Sequence, residues 1–454
     1  GNMIWGLTLS VAGVIGLYAV YRIFLRKPVV VTSDTIARPE RLWLINLFNA
    51  VNDWVGIVDT SIRTDVLWEL ARQRTKLQDY GEGEELVREA LDVLVQSLND
   101  EAKLNHFGRV MTREKILDAL SNRLYAEAAI SKYPEILAEE IRKPIVIAGL
   151  ARTGTTMLQR LLGTNFKDFR TLESWEAMYP APRTVEEFIQ RPAVEQLRRA
   201  KKTRTNSNAL KIIAPKFFAI HPIDFMQPEE EIILLDMSFL SQVPEALYDV
   251  KTYGHWAEQQ DHTFSYEYMK KMLQLLQWQD KIKGISSRRW ILKTPQHLEH
   301  MDTLLRVFPD AELVFTHREL PKIIPSFASL VGHGRGVFSD HVDPVEVMRH
   351  WLAKIERMVN RSIDFRKRRK DVKSVDLFYD NLMADPVRAM EQLYGDLDLK
   401  FHAVIQDRII AWLNHNAQHK YGRHLYNLKD FGVTQAEIDD RLRPYLDFAA
   451  GLRP

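Results

Sequence analysis

The chain of 454 residues contains no cysteine. That excludes a disulfide framework, thiolate zinc sites and a cysteine nucleophile together. It suits a reducing compartment without proving one. Neither sign of charge is in excess, since 62 Lys and Arg stand against 60 Asp and Glu. A nucleic-acid binder ordinarily carries a basic surplus, so nucleic acid is not expected as a partner. Fixed-period repeats and long low-complexity tracts are also lacking. An apolar share of 46 % supports a large core without staples, and the length fits a large domain beside a smaller one.

Charge is missing altogether from Met3 to Tyr21. At about 1.5 Å per residue this run would reach roughly 28 Å as a helix, near the hydrocarbon thickness of a bilayer. Trp5, Tyr18 and Tyr21 lie near its ends, Arg22, Arg26 and Lys27 follow, and Pro28 closes it. The pattern predicts a single transmembrane helix over 3–25. A cleaved signal peptide fits poorly, because no positive charge precedes the apolar run. The positive-inside rule then places the rest of the chain in the cytoplasm, on a single-pass membrane protein.

Residues 28–140 read as a helical region. Leu42–Ile57, Arg63–Gln73, Glu84–Leu98 and Thr112–Ala129 repeat apolar residues at three- and four-residue spacing. The pattern changes after Lys143-Pro144. Ile145–Ala148, Trp290–Leu292, Leu313–Thr316 and Ser374–Phe378 are short apolar runs of the kind expected in buried parallel strands. Helical stretches such as His300–Phe308 and Val345–Phe365 separate them, so 141–454 reads as an α/β domain with a parallel sheet flanked by helices.

Directly after the first strand comes Gly149-Leu150-Ala151-Arg152-Thr153-Gly154-Thr155-Thr156, then the helical Met157–Leu162. The two glycines have the spacing of a nucleotide P-loop, in which backbone N–H groups close around phosphate oxygens ahead of a helix N-terminus. Thr155 stands where a kinase or ATPase carries its phosphate-reaching lysine, and positive charge is supplied instead by Arg152. A second cation, Arg318, follows the strand Leu313–Thr316, with Ser326 eight residues beyond it. Arginine offers a planar fork of donors to phosphate and serine adds a hydroxyl.

Arg-Thr-Gly-Thr-Thr after an apolar strand, with this Arg–Ser pair downstream, resembles the sulfotransferase superfamily. The likeness is best to its bacterial-type family with a helical N-terminal extension, over roughly residues 60–445. Trp175-Glu176, Lys293-Thr294-Pro295-Gln296-His297, Phe378-Tyr379-Asp380-Asn381-Leu382 and the tail from Gly422 to Gly432 contribute to it. The resemblance implies a P-loop fold and transfer of a sulfuryl group from 3′-phosphoadenosine 5′-phosphosulfate to a hydroxyl or amine, without a metal. It implies that Arg152, Thr153, Gly154, Thr155, Thr156 and Met157 hold the 5′-phosphosulfate and that Arg318 and Ser326 hold the 3′-phosphate. Tyr379 would lie near the adenine, and Arg423 joins the donor-binding set. One departure is that Glu319-Leu320 intervenes before Pro321, where relatives place proline sooner after the arginine.

Lys293, at the end of a predicted strand, is the choice for stabilising the leaving phosphate. The base stays open among Glu176, His297 and Glu173, with Glu176 first; a carboxylate in this role needs burial to raise its pKa, whereas histidine needs little tuning. His221 with Glu229 and Glu230 is a further candidate, for which a structural hydrogen-bonding role weighs more. The acceptor is left as a small molecule, lipid or carbohydrate, and a homo-oligomer is left open. Two other functions compete: a P-loop phosphotransferase, and a catalytically silent membrane-bound nucleotide-binding scaffold.

Overall fold

The computed structural model describes residues 30–37, 39, 41–56, 58–220, 224–416 and 423–453. Seven strands occur among them. β1 (Val30–Thr32) pairs in parallel with β7 (Arg423–Leu425). The other five are β2 (Ile145–Gly149), β3 (Phe169–Thr171), β4 (Arg289–Lys293), β5 (Glu312–His317) and β6 (Ser374–Phe378). They form one parallel sheet in the order β3-β4-β2-β5-β6.

Alternation along each strand builds two cores, because successive side chains point to opposite faces. Val146 and Ala148 of β2, Trp290 and Leu292 of β4, and Leu313 and Phe315 of β5 enter one apolar cluster. Their neighbours Ile145, Ile147, Ile291 and Val314 enter another on the far face. Helix Thr155–Gly163, which follows β2, packs Leu158, Leu161 and Leu162 into this second cluster. Helix Leu320–Phe338, which follows β5, packs Ile323, Ile324 and Val331 into the first.

The connection after β2 therefore runs towards β3 on one edge, while that after β5 runs towards β6 on the other. Between the carboxyl ends of β2 and β5 the chain leaves in two directions and opens a crevice, the usual ligand position in open α/β sheets.

Helices Trp43–Val55, Thr64–Thr75, Glu84–Asp100 and His106–Lys132 lie where the apolar spacing places them. A third cluster around Trp68, Leu91, Leu94 and Leu120 holds the last three of these, and Phe239, Leu240 and Tyr253 complete it from much later in the sequence. Buried Arg123 ties this layer to helix Thr263–Ile282. Its Nε donates to the Tyr80 carbonyl at 2.8 Å, and its guanidinium lies 4.0 Å from the Tyr268 ring centroid.

The structure corrects one expectation. The transmembrane helix of 3–25, and with it the single-pass membrane location, is not supported: no helix among the described residues is long and apolar enough to cross a membrane. Residues 3–25 themselves lie outside the described part of the chain. β3 was also missed. It is a three-residue edge strand with Arg170 at its centre, too short and too polar for an apolar run to mark it.

Helices Val243–Leu247 and Pro344–Arg368 are clasped by a buried ion pair between Glu245 and Lys354, joined by His350 Nε2 at 2.8 Å from Glu245. Burial alone would raise the Glu245 pKa, but Lys354 and His350 outweigh it and hold the carboxyl at about 2. A depressed folded value stabilises the fold fully above the unfolded value of about 4.5 and is lost as pH falls through the folded one. Glu245→Gln is expected to reduce stability at neutral pH by about 3 kcal/mol and to flatten the acid limb between about pH 5 and about pH 2. Denaturant unfolding across that range measures both.

Candidate active site

The loop after β2 owes its shape to two glycines and one buried threonine. Gly149 pairs with Thr316 of β5, and a Cβ on it would lie 1.9 Å from the Thr316 hydroxyl. Thr153 donates to the Leu150 carbonyl and shares a 2.6 Å contact with the same Thr316 hydroxyl, which pins the loop to the neighbouring strand. Gly154 has φ 88°, a left-handed conformation that favours glycine, and caps helix Thr155–Gly163. The first-turn amides of that helix have no intrahelical partner and face the crevice as anion donors.

The two arginines meet across the crevice. Arg318 follows β5 directly, and its Nη1 donates to the Arg152 carbonyl at 2.8 Å. Its guanidinium stacks 3.9 Å from the ring centroid of Tyr379, which begins the helix after β6. Arg152 Nε donates to Ser326 at 3.2 Å. Glu319 caps helix Leu320–Phe338 and Pro321 occupies its first turn, so the shifted proline leaves Ser326 in place.

Neither guanidinium forms an ion pair with a carboxylate among the described residues. Arg318 Nε is buried without a hydrogen-bond partner there. Burial, and then the neighbouring charge of Arg318, push the pKa of Arg152 down. Two neighbouring like charges without a carboxylate counterion suit a polyanion.

Lys293, at the end of β4, is 2 % exposed. Its Nζ donates to Glu230 at 2.6 Å and lies 3.3 Å from the Thr156 hydroxyl on the loop helix. Arg152, Gly154, Thr155, Thr156, Met157, Arg318, Tyr379, Glu229 and Glu230 all line one cavity of about 660 Å³. Lys293 reaches its edge through Glu230 and Thr156.

The three expected bases are elsewhere. Arg170 of β3 grips Glu176 with two donors at 2.6 Å, in a pair that is almost wholly buried. Glu173 and Glu176 form a capping box on helix Ser174–Met178. Burial, and then the Glu176 charge, raise the pKa of Glu173, but its carboxylate accepts from the Trp175 indole. Both glutamates line a second cavity of about 410 Å³, not the one at the loop.

His297 is fully buried, with Nε2 at 2.6 Å from Glu231 and Nδ1 at 2.9 Å from the Tyr266 hydroxyl. Glu231 also accepts the Lys293 N–H at 2.8 Å, so this trio fixes the end of β4. Arg423 falls on β7, with its side chain outside the described part, and His221 lies outside it as well.

Sequence reasoning weighed Glu230 only as a further candidate beside His221 and Glu229, behind the three bases above. The signal was its place in the acidic run Glu229–Glu231 after a proline, but nothing in spacing shows that it meets Lys293. Tyr426 was likewise not singled out, although it lies close enough to Arg152 to bear on its charge.

A P-loop-like turn and a second cationic corner at the switch point of a parallel sheet define an α/β transferase that grips an anionic donor. The chain belongs to the sulfotransferase family: the profile described as "Sulfotransferase family" matches residues 144–403. It is thus an enzyme that transfers a sulfuryl group from a sulfate donor to an acceptor.

Two solved structures are similar over nearly their whole length. Sulfotransferase STF1 from Mycobacterium tuberculosis H37Rv shares 29 % identity at a TM-score of 0.69, over 85 % of this chain and 99 % of that one. Sulfotransferase STF9 from Mycobacterium avium shares 26 % identity at a TM-score of 0.75, over 86 % and 97 %. No curated protein matches.

Removing the charge of Glu176 would leave Arg170 with Asp280 alone as its carboxylate partner, at 2.9 Å. Glu176→Gln is expected to lower stability by about 2–4 kcal/mol. Affinity for adenosine 3′,5′-bisphosphate, read by calorimetry, is expected to stay within about two-fold.

Proposed function

We propose that the sulfate donor is 3′-phosphoadenosine 5′-phosphosulfate, with its two anionic ends taken by the two halves of the crevice. The observation that carries this reading is the pair of guanidiniums, Arg152 and Arg318, held together in one cavity without a carboxylate to neutralise them. A single phosphosulfate group would engage the loop alone; a second cationic corner fits a donor with a second phosphate. In this reading Arg152, the amides from Thr153 to Met157 and the hydroxyls of Thr155 and Thr156 bind the 5′-phosphosulfate. Arg318 and Ser326 bind the 3′-phosphate, and Tyr379 flanks the nucleoside.

Sulfuryl transfer is an in-line displacement governed by positioning and charge stabilisation. The acceptor oxygen bonds to sulfur while the bond from sulfur to the bridging phosphate oxygen breaks. That oxygen keeps the electron pair, and Lys293 with Arg152 stabilises the growing charge. The acceptor proton goes to Glu230, the carboxylate nearest Lys293 inside the cavity. Lys293 pairs with Glu230; once the ammonium turns to the donor, the Glu230 oxygens are open to the acceptor hydroxyl. All charge stabilisation in this scheme comes from the chain, so transfer is expected to persist with a chelator present.

Arg152→Ala and Arg318→Ala are each expected to weaken bisphosphate binding about 10–100-fold, as loss of charged hydrogen bonds does. Unchanged calorimetric affinity in both variants would defeat the donor assignment. Glu230→Gln is expected to lower turnover about 100-fold or more, with bisphosphate affinity nearly unchanged. Full turnover in a radiolabelled phosphosulfate assay would remove Glu230 from the base role.

A further inference from the structure

We infer that the acceptor is a lipophilic alcohol or phenol: an apolar body with an uncharged hydroxyl at its reacting end. The inference rests on the donor reading above and adds the class of molecule that enters opposite the donor. The cavity at the loop continues from Glu230 into a pocket walled by three helices. Val243 and Ala246 come from helix Val243–Leu247, Ile324 and Phe327 from helix Leu320–Phe338, and Ile355 and Met358 from helix Pro344–Arg368.

None of the charged side chains of these helices lines the pocket. Glu245 is held by Lys354 in a buried pair, and Arg357 binds Glu299 at 2.5 Å. Gln242 is the one amide on this part of the lining, and it is already engaged: its Nε2 donates to Glu299 at 2.9 Å.

Such a wall discriminates by what it lacks. A sugar carries a hydroxyl on nearly every carbon, and beyond the unpartnered indole Nε1 of Trp351 this part of the lining gives such hydroxyls little to bond, so most would lose their water without gaining a partner. An apolar body gains from the same burial. At the neck, Glu229 and Glu230 repel a carboxylate or phosphate on the reacting end and favour a neutral hydroxyl. The hydroxyl oxygen forms the new bond to sulfur, its proton passes to Glu230, and the products are a sulfate monoester and the bisphosphate.

The full chain is assayed with radiolabelled phosphosulfate against 2-naphthol, dodecanol and a sterol on one side, and glucose, trehalose and a chitin oligomer on the other. Transfer to at least one lipophilic member and to no sugar is expected. Ala246→Trp, which narrows the pocket away from the loop, should raise KM for that acceptor ten-fold or more while bisphosphate affinity stays within two-fold. If that variant fails to fold, Phe327→Ala, which widens the same wall, should admit bulkier alcohols that the unmodified chain rejects. Bisphosphate binding together with transfer to sugars, with no lipophilic transfer, or with KM unmoved by either variant overturns the acceptor class and leaves the donor reading standing. Failure of the unmodified chain to bind the bisphosphate overturns the donor reading, and the acceptor inference falls with it.

Discussion

Arg152 and Arg318 repel one another, and seating the Arg318 guanidinium on the Arg152 backbone carbonyl has to be offset by the rest of the fold. β2 and β5 set the distance. Their register places Gly149 beside Thr316, and the absence of a Cβ on Gly149 lets the loop lie directly against the neighbouring strand. Thr153 then locks the loop by bonding to that same Thr316. The Tyr379 ring on Arg318 supplies part of the compensation as a cation–π contact. What remains uncompensated is positive charge in a sheltered crevice, and that is an affinity for polyanions.

Three consecutive glutamates show how burial assigns different work to one residue type. Glu231 is fully enclosed and spends both oxygens on structure, one on His297 and one on the Lys293 amide. Glu230 points into the cavity and meets the Lys293 ammonium. Glu229 lines the same cavity, and one of its oxygens accepts the Glu230 N–H at 3.0 Å. An ammonium between a buried anchor and a solvent-facing carboxylate can change partners when a more anionic group arrives, whereas a histidine clamped on both nitrogens cannot.

Glu176 shows the opposite outcome. Its distance in sequence from the loop matched that of a base, but a short strand, β3, intervenes and carries Arg170 to it. Two charge-assisted bonds and a capping box then fix the carboxylate in the first turn of its helix. A carboxylate so committed is part of the framework, and spacing from the loop cannot register that commitment because Arg170 lies in a strand too short and polar for the apolar pattern to mark.

By itself the sequence determined four of the five strands of the parallel sheet, the glycine loop after β2 and the arginine after β5. Apolar runs of three to five residues, glycines at fixed spacing and an arginine after a strand express short-range rules, and the long amphipathic helices from Trp43 to Lys132 follow from their own three- and four-residue periodicity. The tertiary structure alone decided which acidic group faces the cavity, how the guanidiniums sit and what lines the far wall. Those depend on contacts between residues such as 152 and 318, 230 and 293, or 245 and 354, which lie far apart in the chain and are brought together only by strand order and helix packing.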